Sequence, residues 1–504
     1  MIGHALRRSA AALALGSLTA CLAGLPPPPA PTNPIRLLSI NDVYVADTLA
    51  DGSGGLARVA ALRDRIASEG PTLFVLAGDF LSPSLLSKYY HGRHMVDALN
   101  AARLDYATFG NHEFEVPRDT LVARIAESRF RWLSANCTEA GGGSIPGVLP
   151  WDTVRLAERK VGLFGLTMRG DYPGYVQCAD PDSVARSVID TLAAQGAELV
   201  VAITHQPIED DRRLLNRETR LDLVLGGHEH EAQTLEVSGR HILKADANAR
   251  TAQFATVWGA KGHWRQAVAL LPVHAGLPMD SATAVVVAGW QDSLRARLGP
   301  ERRLGTLPAP LDARDALQRR AETGLGNVVT DAIRAGTGVD VALLNAGALR
   351  YDDVLPAGPL TSYQVESVFL FPDETRMLVA RMTGARLREL LERSVSDGVI
   401  GKGGFLQVSG VRFSYDAAQP SGQRVTGDLR RPDGTAIGAG DALLVALPGF
   451  LACAAGDGYR VPEAAEACRG LPAAPRAVDL LMRYAMDSLR GTLVAPALGR
   501  ITVR

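Results

Sequence analysis

Five short polar motifs follow one another along the first half of the chain, each directly after an apolar run that reads as a buried strand. The motifs are Asp42, Gly78-Asp79, Gly110-Asn111-His112-Glu113, His205 and Gly227-His228-Glu229-His230. The apolar runs before them cover residues 35–40, 73–77, 107–109, 199–204 and 221–225. Short apolar runs separated by turn residues and helical patterns are typical of parallel strands in an α/β sheet. Loops at the carboxyl ends of such strands direct side chains to one point, so the pattern predicts a ligand site there.

The side chains in these motifs are of the types that hold a pair of divalent metal ions. Two neighbouring cations need a shared anionic ligand, and Asp79 is the expected bridge because Gly78 lets the backbone turn sharply beside it. We expect Asp42 and His230 to bind the first metal. The ligands that complete the second metal would be Asn111, His205 and His228. This mixture of imidazole, amide and carboxylate groups suits Zn, Mn or Fe.

Each of these residues has an ordinary structural explanation when it is taken alone. A Gly-Asp pair after a strand is usually a turn, and a buried histidine is usually a core residue with satisfied hydrogen bonds. The coincidence of all five motifs after strands is what favours a metal site. His112, next to Asn111, would lie over the open coordination positions and could stabilise negative charge or protonate a leaving oxygen. Glu115 could orient that imidazole, or it could be an ordinary carboxylate in a first helical turn.

Length, charge and periodicity divide the chain and limit its partners. A chain of 504 residues is too long to fold around a single hydrophobic core of ordinary size. The net charge is −1 and 21% of the residues are charged, so the chain lacks the excess positive charge that binding a nucleic-acid polymer requires. Strand-like and helix-like segments alternate over residues 35–272, and an amphipathic stretch at 281–298 predicts a connecting helix within 273–301. A new mixed pattern covers residues 302–504.

Residues 1–21 read as a bacterial lipoprotein signal. Arg7-Arg8 precede a short apolar run, and Leu18-Thr19-Ala20-Cys21 resembles a lipobox, whose cysteine is lipidated and becomes the mature N-terminus. The alternative is an ordinary signal peptide with an incidental cysteine. The proline-rich residues 22–34 would form a stiff spacer between a membrane and a globular body. We therefore expect a lipoprotein of the bacterial cell envelope that faces the periplasm.

The remaining cysteines are consistent with export. They are Cys137, Cys178, Cys453 and Cys468. An even number fits two disulfides in an oxidising compartment, and pairing near neighbours is the simplest of three possible connectivities. Four buried thiols are the alternative. No pair has CxxC spacing, so a zinc-thiolate site is not expected.

Together the motifs resemble those of the calcineurin-like metallophosphoesterases, and Gly110-Asn111-His112-Glu113-Phe114 is similar to the 5′-nucleotidase branch. The resemblance implies an α/β chain: a four-layer α/β/β/α metallophosphoesterase domain followed by a mixed α/β substrate-binding domain. Two positions depart from the usual pattern, because Tyr44 stands where the family has histidine and Glu115 stands where it has aspartate. A longer carboxylate can still reach the imidazole of His112, so the second departure is mild.

Tyr44 leaves the first metal site with two alternatives. It could bind as a phenolate, and an anionic oxygen ligand favours a harder cation such as Fe(III), as in purple acid phosphatases. It could instead stand beside a more open site without binding the metal.

Four stretches of the second half resemble the nucleotide pocket of the same family. They cover residues 322–327, 345–350, 403–410 and 450–459. The resemblance implies two aromatic rings on the base, arginines and an asparagine on phosphate or ribose groups, and an aspartate on sugar hydroxyls. Matched by motif, these residues are Phe405 and Phe450, Arg319 and Arg350, Asn345, and Asp457. Core packing is the alternative for both rings, and Arg320 is the alternative to Arg319.

The expected function is that of an exported phosphohydrolase with two metal ions that acts on nucleoside 5′-monophosphates or related nucleotides. Hydrolysis of nucleotide-sugar pyrophosphates and of 2′,3′-cyclic nucleotides are alternatives within the same class of enzyme. A different alternative is a nucleotide-binding lipoprotein that has lost catalysis, which the change at Tyr44 could mark. The retention of every other metal-site residue favours the enzyme.

Overall fold

The computed structural model describes residues 33–170, 172–371, 375–487 and 491–504. The expected signal sequence, Cys21 and most of the proline-rich segment lie outside these residues. Two parts of the chain, on either side of a long helix, each bury hydrophobic cores of their own. We call them the N-terminal and the C-terminal domain.

The N-terminal domain alternates strands and helices. Its strands are β1 (Ile35–Ile40), β2 (Thr72–Ala77), β3 (Tyr106–Thr108), β4 (Arg131–Leu133), β5 (Cys137–Glu139), β6 (Val148–Leu149), β7 (Trp151–Leu156), β8 (Arg159–Thr167), β9 (Val176–Cys178), β10 (Leu199–His205), β11 (Leu223–Gly227), β12 (Gln233–Val237), β13 (Arg240–Lys244), β14 (Thr251–Ala260) and β15 (His263–Pro272). Its helices are α1 (Leu56–Ala67), α2 (Leu85–Tyr90), α3 (Arg93–Ala101), α4 (Arg118–Glu127), α5 (Pro181–Ala194), α6 (Ile208–Arg217) and α7 (Ser281–Leu298).

Two sheets pack face to face in this domain. One has the strand order β15-β14-β1-β2-β3-β4-β6, and the other has the order β12-β13-β11-β10-β8-β7. Apolar side chains such as Leu37, Val75, Leu163 and Val201 fill the space between them. Helices α1, α3, α4 and α7 cover the outer face of the first sheet, and α5 and α6 cover the second. This confirms the four-layer α/β/β/α arrangement, and it explains why the central strands are apolar on both faces.

The strands that carry the polar motifs end at the same edge. Strands β1, β2 and β3 are parallel neighbours in the first sheet, and β10 and β11 are parallel neighbours in the second. Their carboxyl ends therefore point the same way, and the loops that follow them meet where the two sheets converge.

Helix α7 has the bounds that the sequence indicated, but it packs on the N-terminal domain. Val287 is buried in the core beside α1 and α3, and the Tyr90 hydroxyl donates to the Ser293 carbonyl at 2.9 Å. Asp280 caps the helix by accepting from the Thr283 amide at 2.8 Å. The helix is thus part of the outer layer rather than a free linker.

The C-terminal domain is a smaller mixed α/β unit. Its strands are β16 (Arg303–Leu307), β17 (Leu311–Asp312), β18 (Val341–Asn345), β19 (Val354–Leu355), β20 (Gly358–Thr361), β21 (Met377–Thr383), β22 (Leu406–Ser409), β23 (Arg412–Tyr415), β24 (Val425–Arg430), β25 (Ala442–Pro448) and β26 (Ile501–Val503). Its helices are α8 (Asp315–Gln318), α9 (Gly324–Thr337), α10 (Ser362–Val368), α11 (Gly384–Ser394), α12 (Gly449–Cys453) and α13 (Ala477–Asp487). Helices α9 and α13 cover one face of the sheet β21-β25-β18-β22, and α11 covers the other.

Both expected disulfides are formed, Cys137 with Cys178 and Cys453 with Cys468. Cys137 and Cys178 lie directly opposite each other on the paired strands β5 and β9. None of the described helices is both long and apolar enough to cross a bilayer.

Candidate active site

Four of the expected metal ligands hold their backbone in the left-handed region. The φ angles are 53° at Asp42, 60° at Asp79, 99° at His228 and 64° at His230. Residues with a Cβ seldom adopt this conformation, and it costs free energy that the surrounding structure must supply. The loops at the sheet edge therefore force these side chains inward to one place.

Three side chains of the first site converge with spacing that suits one cation. The Tyr44 hydroxyl lies 3.0 Å from His230 Nε2 and 3.5 Å from Asp42 Oδ1, and His230 Nε2 lies 3.3 Å from Asp42 Oδ1. Ligand atoms that each lie about 2.0–2.2 Å from a metal stand roughly 3.0–3.5 Å from one another. The three atoms thus have a spacing that would fit one cation, and the part played by the tyrosine oxygen stays a prediction.

Asp79 lies between the two expected sites. Its Oδ1 accepts from the His112 amide at 2.8 Å, while its Oδ2 lies 3.0 Å from His205 Nε2 and 3.3 Å from the Tyr44 hydroxyl. A Cβ on Gly110 would lie 2.0 Å from Asp79 Oδ1, so only glycine permits this approach. One carboxylate oxygen therefore faces both groups of ligands.

The second site also offers groups that fit a cation. His205 Nδ1 lies 2.8 Å from the Ala77 carbonyl, which orients the ring and leaves Nε2 facing the site. Ligand atoms of Asp42, Asp79 and His205 lie within 4.8 Å of one another. Asn111 Oδ1 is buried and accepts no hydrogen bond from the part of the chain that is described. A metal would satisfy that oxygen. The His228 ring packs edge-on against His205, with 5.4 Å between centroids.

His112 belongs to a charged cluster that includes the C-terminal domain. Its Nδ1 lies 2.8 Å from Glu115 Oε1 and 3.2 Å from Arg350 Nη2, and its Nε2 lies 3.8 Å from Asp79 Oδ2. Burial lowers the pKa of His112, but the Glu115 and Asp79 carboxylates outweigh it and leave the pKa above its ordinary value. Glu115 therefore reaches the imidazole in spite of its departure from the family pattern.

Two further residues fix the loops of the first site, although neither was expected to have a role there. Asn41 donates to Asp42 Oδ2 at 2.7 Å, and the His228 amide donates to the same oxygen at 2.9 Å, which leaves Oδ1 free to face the site. Asn248 Oδ1 accepts from the Tyr44 amide at 3.0 Å. Asn41 stands next to Asp42 in the motif, whereas nothing in the sequence near Asn248 signals its contact.

Glu113 is the anchor of the Asp79 loop. It is fully buried and accepts from the backbone amides of Asp79, Phe80, Leu81 and Gly110 at 2.6 to 3.0 Å. Burial and the nearby Asp79 carboxylate raise the pKa of Glu113 to about 7. This glutamate holds the metal-site loop rather than the metal, which explains its place in the Gly-Asn-His-Glu motif.

All four stretches expected to form a nucleotide pocket come together in the C-terminal domain, where the Thr323 amide donates to Gln407 Oε1 at 3.2 Å. The Gly347 amide donates to the Gly403 carbonyl at 2.8 Å, and Asn345 Nδ2 donates to Asp457 Oδ2 at 3.3 Å. The ring of Phe450 packs against Gly456 and is partly buried. Arg319 forms an ion pair with Asp315.

The ring of Phe405, for which base stacking and core packing were the two alternatives, is buried in this structure. The ring has 0% exposed surface and lies in the core with Leu343 and Leu391. No face of the ring is open to a base in this arrangement of the chain, and its stacking role stays a prediction. The run Phe405-Leu406 enters β22, whose side chains are all buried, and this packing draws the ring inward.

Two families of known proteins match the two domains. The family described as "Calcineurin-like phosphoesterase" matches residues 35–232, and the family described as "5'-nucleotidase, C-terminal domain" matches residues 303–464. Snake venom 5′-nucleotidase from Naja atra is 27% identical over 485 residues, which are 84% of this chain and 91% of that protein. The 5′-nucleotidase of Homo sapiens is 24% identical over 487 residues, which are 85% of this chain and 84% of that protein.

A solved structure shares the whole fold. The 5′-nucleotidase precursor from Thermus thermophilus superposes with a TM-score of 0.75 at 24% identity, covering 93% of this chain and 99% of its own. At this identity the likeness concerns the fold alone. The chain contains both matched domains, in the same order as its relatives. It therefore belongs to the 5′-nucleotidase family of metal-dependent phosphoester hydrolases.

Proposed function

We propose that this protein is a two-metal phosphohydrolase that releases phosphate from nucleoside 5′-monophosphates or closely related nucleotides. The observation that carries the proposal is the position of Arg350. This arginine belongs to the C-terminal domain, yet it lies 3.2 Å from His112 at the metal-site edge of the N-terminal domain. A guanidinium beside the expected proton donor suits a substrate that carries a phosphate.

The residues of the site would have two roles in the reaction, metal binding and proton donation. Asp42, Tyr44 and His230 would hold one metal, Asp79 would bridge, and the other ligands would be Asn111, His205 and His228. Bound metal ions would polarise the phosphoryl oxygens and activate water for in-line attack. As water adds to phosphorus, the bond to the nucleoside 5′-oxygen breaks, and that oxygen needs a proton. The Glu115 and Asp79 carboxylates raise the pKa of His112, which favours its protonated form, and this residue can supply the proton.

Tyr44 is included among the ligands because its oxygen has the spacing of a ligand atom. Burial and the Asp79 and Asp42 carboxylates raise the pKa of this phenol well above its usual value. The phenolate therefore needs a strongly charged cation beside it, which favours Fe(III) over Zn in the first site. The prediction is a visible phenolate-to-iron absorption band in iron-loaded protein that disappears in Tyr44→Phe. A colourless, iron-free protein of full activity would show that Tyr44 is a spectator.

We expect metal-replete protein to release phosphate from AMP. The measurement compares AMP, UDP-glucose, a 2′,3′-cyclic nucleotide and bis(p-nitrophenyl) phosphate, each with Zn, Mn and Fe. AMP as the preferred substrate supports the proposal. Preference for UDP-glucose or for the cyclic nucleotide would instead identify one of the two alternative hydrolases. Binding of AMP without any phosphate release would identify a nucleotide-binding protein.

We also propose that the protein is exported and anchored through a lipid on Cys21. The lipobox-like sequence that ends at Cys21 and the two disulfides, which form outside the reducing cytoplasm, support this. When the full gene is expressed in a bacterium, the protein is expected in the membrane fraction, and Cys21→Ser is expected to abolish labelling by a radioactive fatty acid. Labelling that persists in Cys21→Ser would contradict the anchor.

A further inference from the structure

One loop of the C-terminal domain makes three charged contacts with the metal-binding domain. We call residues 350–353 the clasp loop. Arg350 pairs with Glu115, Asp352 Oδ2 lies 3.3 Å from His230 Nδ1, and Asp353 Oδ2 lies 2.9 Å from Arg250 Nη2. Three charged side chains within four residues thus face three different loops of the other domain.

Asp352 is held firmly in this position. Its backbone is left-handed, with φ at 46°, and its Oδ1 accepts from the Asp315 amide at 2.7 Å. Its side chain is 17% exposed. The other oxygen, Oδ2, is the one that faces His230, so the two carboxylate oxygens have separate partners.

The partner of Asp352 is a ring whose other nitrogen faces the first metal site. His230 Nε2 lies 3.3 Å from Asp42 Oδ1 and 3.0 Å from the Tyr44 hydroxyl, while Nδ1 faces Asp352. A histidine that binds metal commonly donates its second N–H to a carboxylate, which fixes the ring and makes it a better ligand. Within the N-terminal domain, the corresponding support for His205 is the Ala77 carbonyl.

We propose that Asp352 is a positioning residue for the metal ligand His230, supplied across the domain boundary. This inference rests on the proposed two-metal function. The contact of Asp352 with His230 then completes the outer shell of the first metal, so metal affinity at that site depends on this one carboxylate from the C-terminal domain. A domain that carries substrate would thereby also strengthen the metal site that acts on it.

The clasp loop supplies its own matched control. Asp353 makes an ion pair between the same two domains, but its partner Arg250 touches no expected metal ligand. Asp353→Asn therefore removes a carboxylate charge from the same loop without touching His230. Asp352→Asn removes the charge that faces the ring, and Asp352→Glu retains a carboxylate there.

The experiment titrates metal-stripped full-length protein with Mn²⁺ and records the heat of binding. In wild type we expect two binding events. Asp352→Asn is expected to weaken one of them about 10–100-fold and to leave the other unchanged. Asp353→Asn is expected to leave both unchanged, and Asp352→Glu to recover part of the lost affinity. Unfolding midpoints of all variants check that each protein folds.

Three outcomes would overturn the inference. Equal Mn²⁺ affinities in wild type and Asp352→Asn would show that the contact is a structural ion pair only. Equal weakening by Asp352→Asn and Asp353→Asn would show that domain contact in general, rather than the His230 contact, is responsible. A wild-type protein that binds a single Mn²⁺ and releases no phosphate would overturn the proposed function and this inference with it. If the wild type is active, either of the first two outcomes would overturn this inference alone and leave the proposed function standing.

Discussion

Replacement of His112 by asparagine is expected to lower kcat for AMP by roughly 10²–10⁴-fold, the usual contribution of a positioned proton donor. The ring lies at the open side of the site, with Nε2 3.8 Å from Asp79 Oδ2, and it is oriented by Glu115 and Arg350. Asparagine retains a polar group of similar reach but cannot deliver a proton to the departing oxygen. We expect KM and metal content to change little, because the imidazole is not among the expected ligands.

A substrate with a good leaving group separates chemistry from structure in this test. A p-nitrophenyl ester needs no proton on its leaving oxygen, so the loss in His112→Asn is expected to be much smaller for that ester than for AMP. His274→Asn is the matched control because His274 is exposed and lies outside the site. Equal losses for both esters, or loss of bound metal, would show that His112 acts on the metal ligands instead.

Replacement of Lys244 by methionine is expected to lower the free energy of unfolding by about 3–5 kcal/mol, the usual cost of removing one partner from a buried ion pair. The side chain is 1% exposed, and its Nζ donates to the Gln206 and Gly227 carbonyls at 2.6 and 2.9 Å. It also pairs with Glu229 at 2.6 Å and with the buried Asp211 at 3.0 Å. Methionine would leave both carboxylates without their cation.

The same lysine connects two metal-site loops. Gln206 follows His205, the last residue of β10, and Gly227, the last residue of β11, precedes His228. We therefore expect Lys244→Met to weaken metal binding as well as stability. Lys261→Met, at an exposed turn between β14 and β15, is the control and should change the free energy of unfolding by less than about 0.5 kcal/mol. Denaturant unfolding measures both variants, and a loss below about 1 kcal/mol for Lys244→Met would contradict the prediction.

The agreement between sequence and structure is closest where the constraint is local. A buried strand needs a short apolar run, and a metal ligand must be one of a few residue types, so β1 and the loops after β2, β3, β10 and β11 were predictable. The residues that hold the metal-site loops in place were harder to recognise in the sequence. Lys244 and Asn248 are ordinary residues in the sequence, and their importance comes from carbonyl and amide groups that only the folded chain brings to them.

By itself the sequence determined the α/β order, the series of metal-binding side chains and the simplest pairing of the cysteines, because each of these depends on residue type and on position relative to a strand. Only the tertiary structure decided that the Tyr44 hydroxyl lies 3.0 Å from His230 Nε2, that the Phe405 ring is buried, and that Asp352 reaches His230. Those contacts depend on how strand ends, core side chains and two domains pack together. Packing between residues that lie far apart in the chain leaves no periodic signal in the sequence.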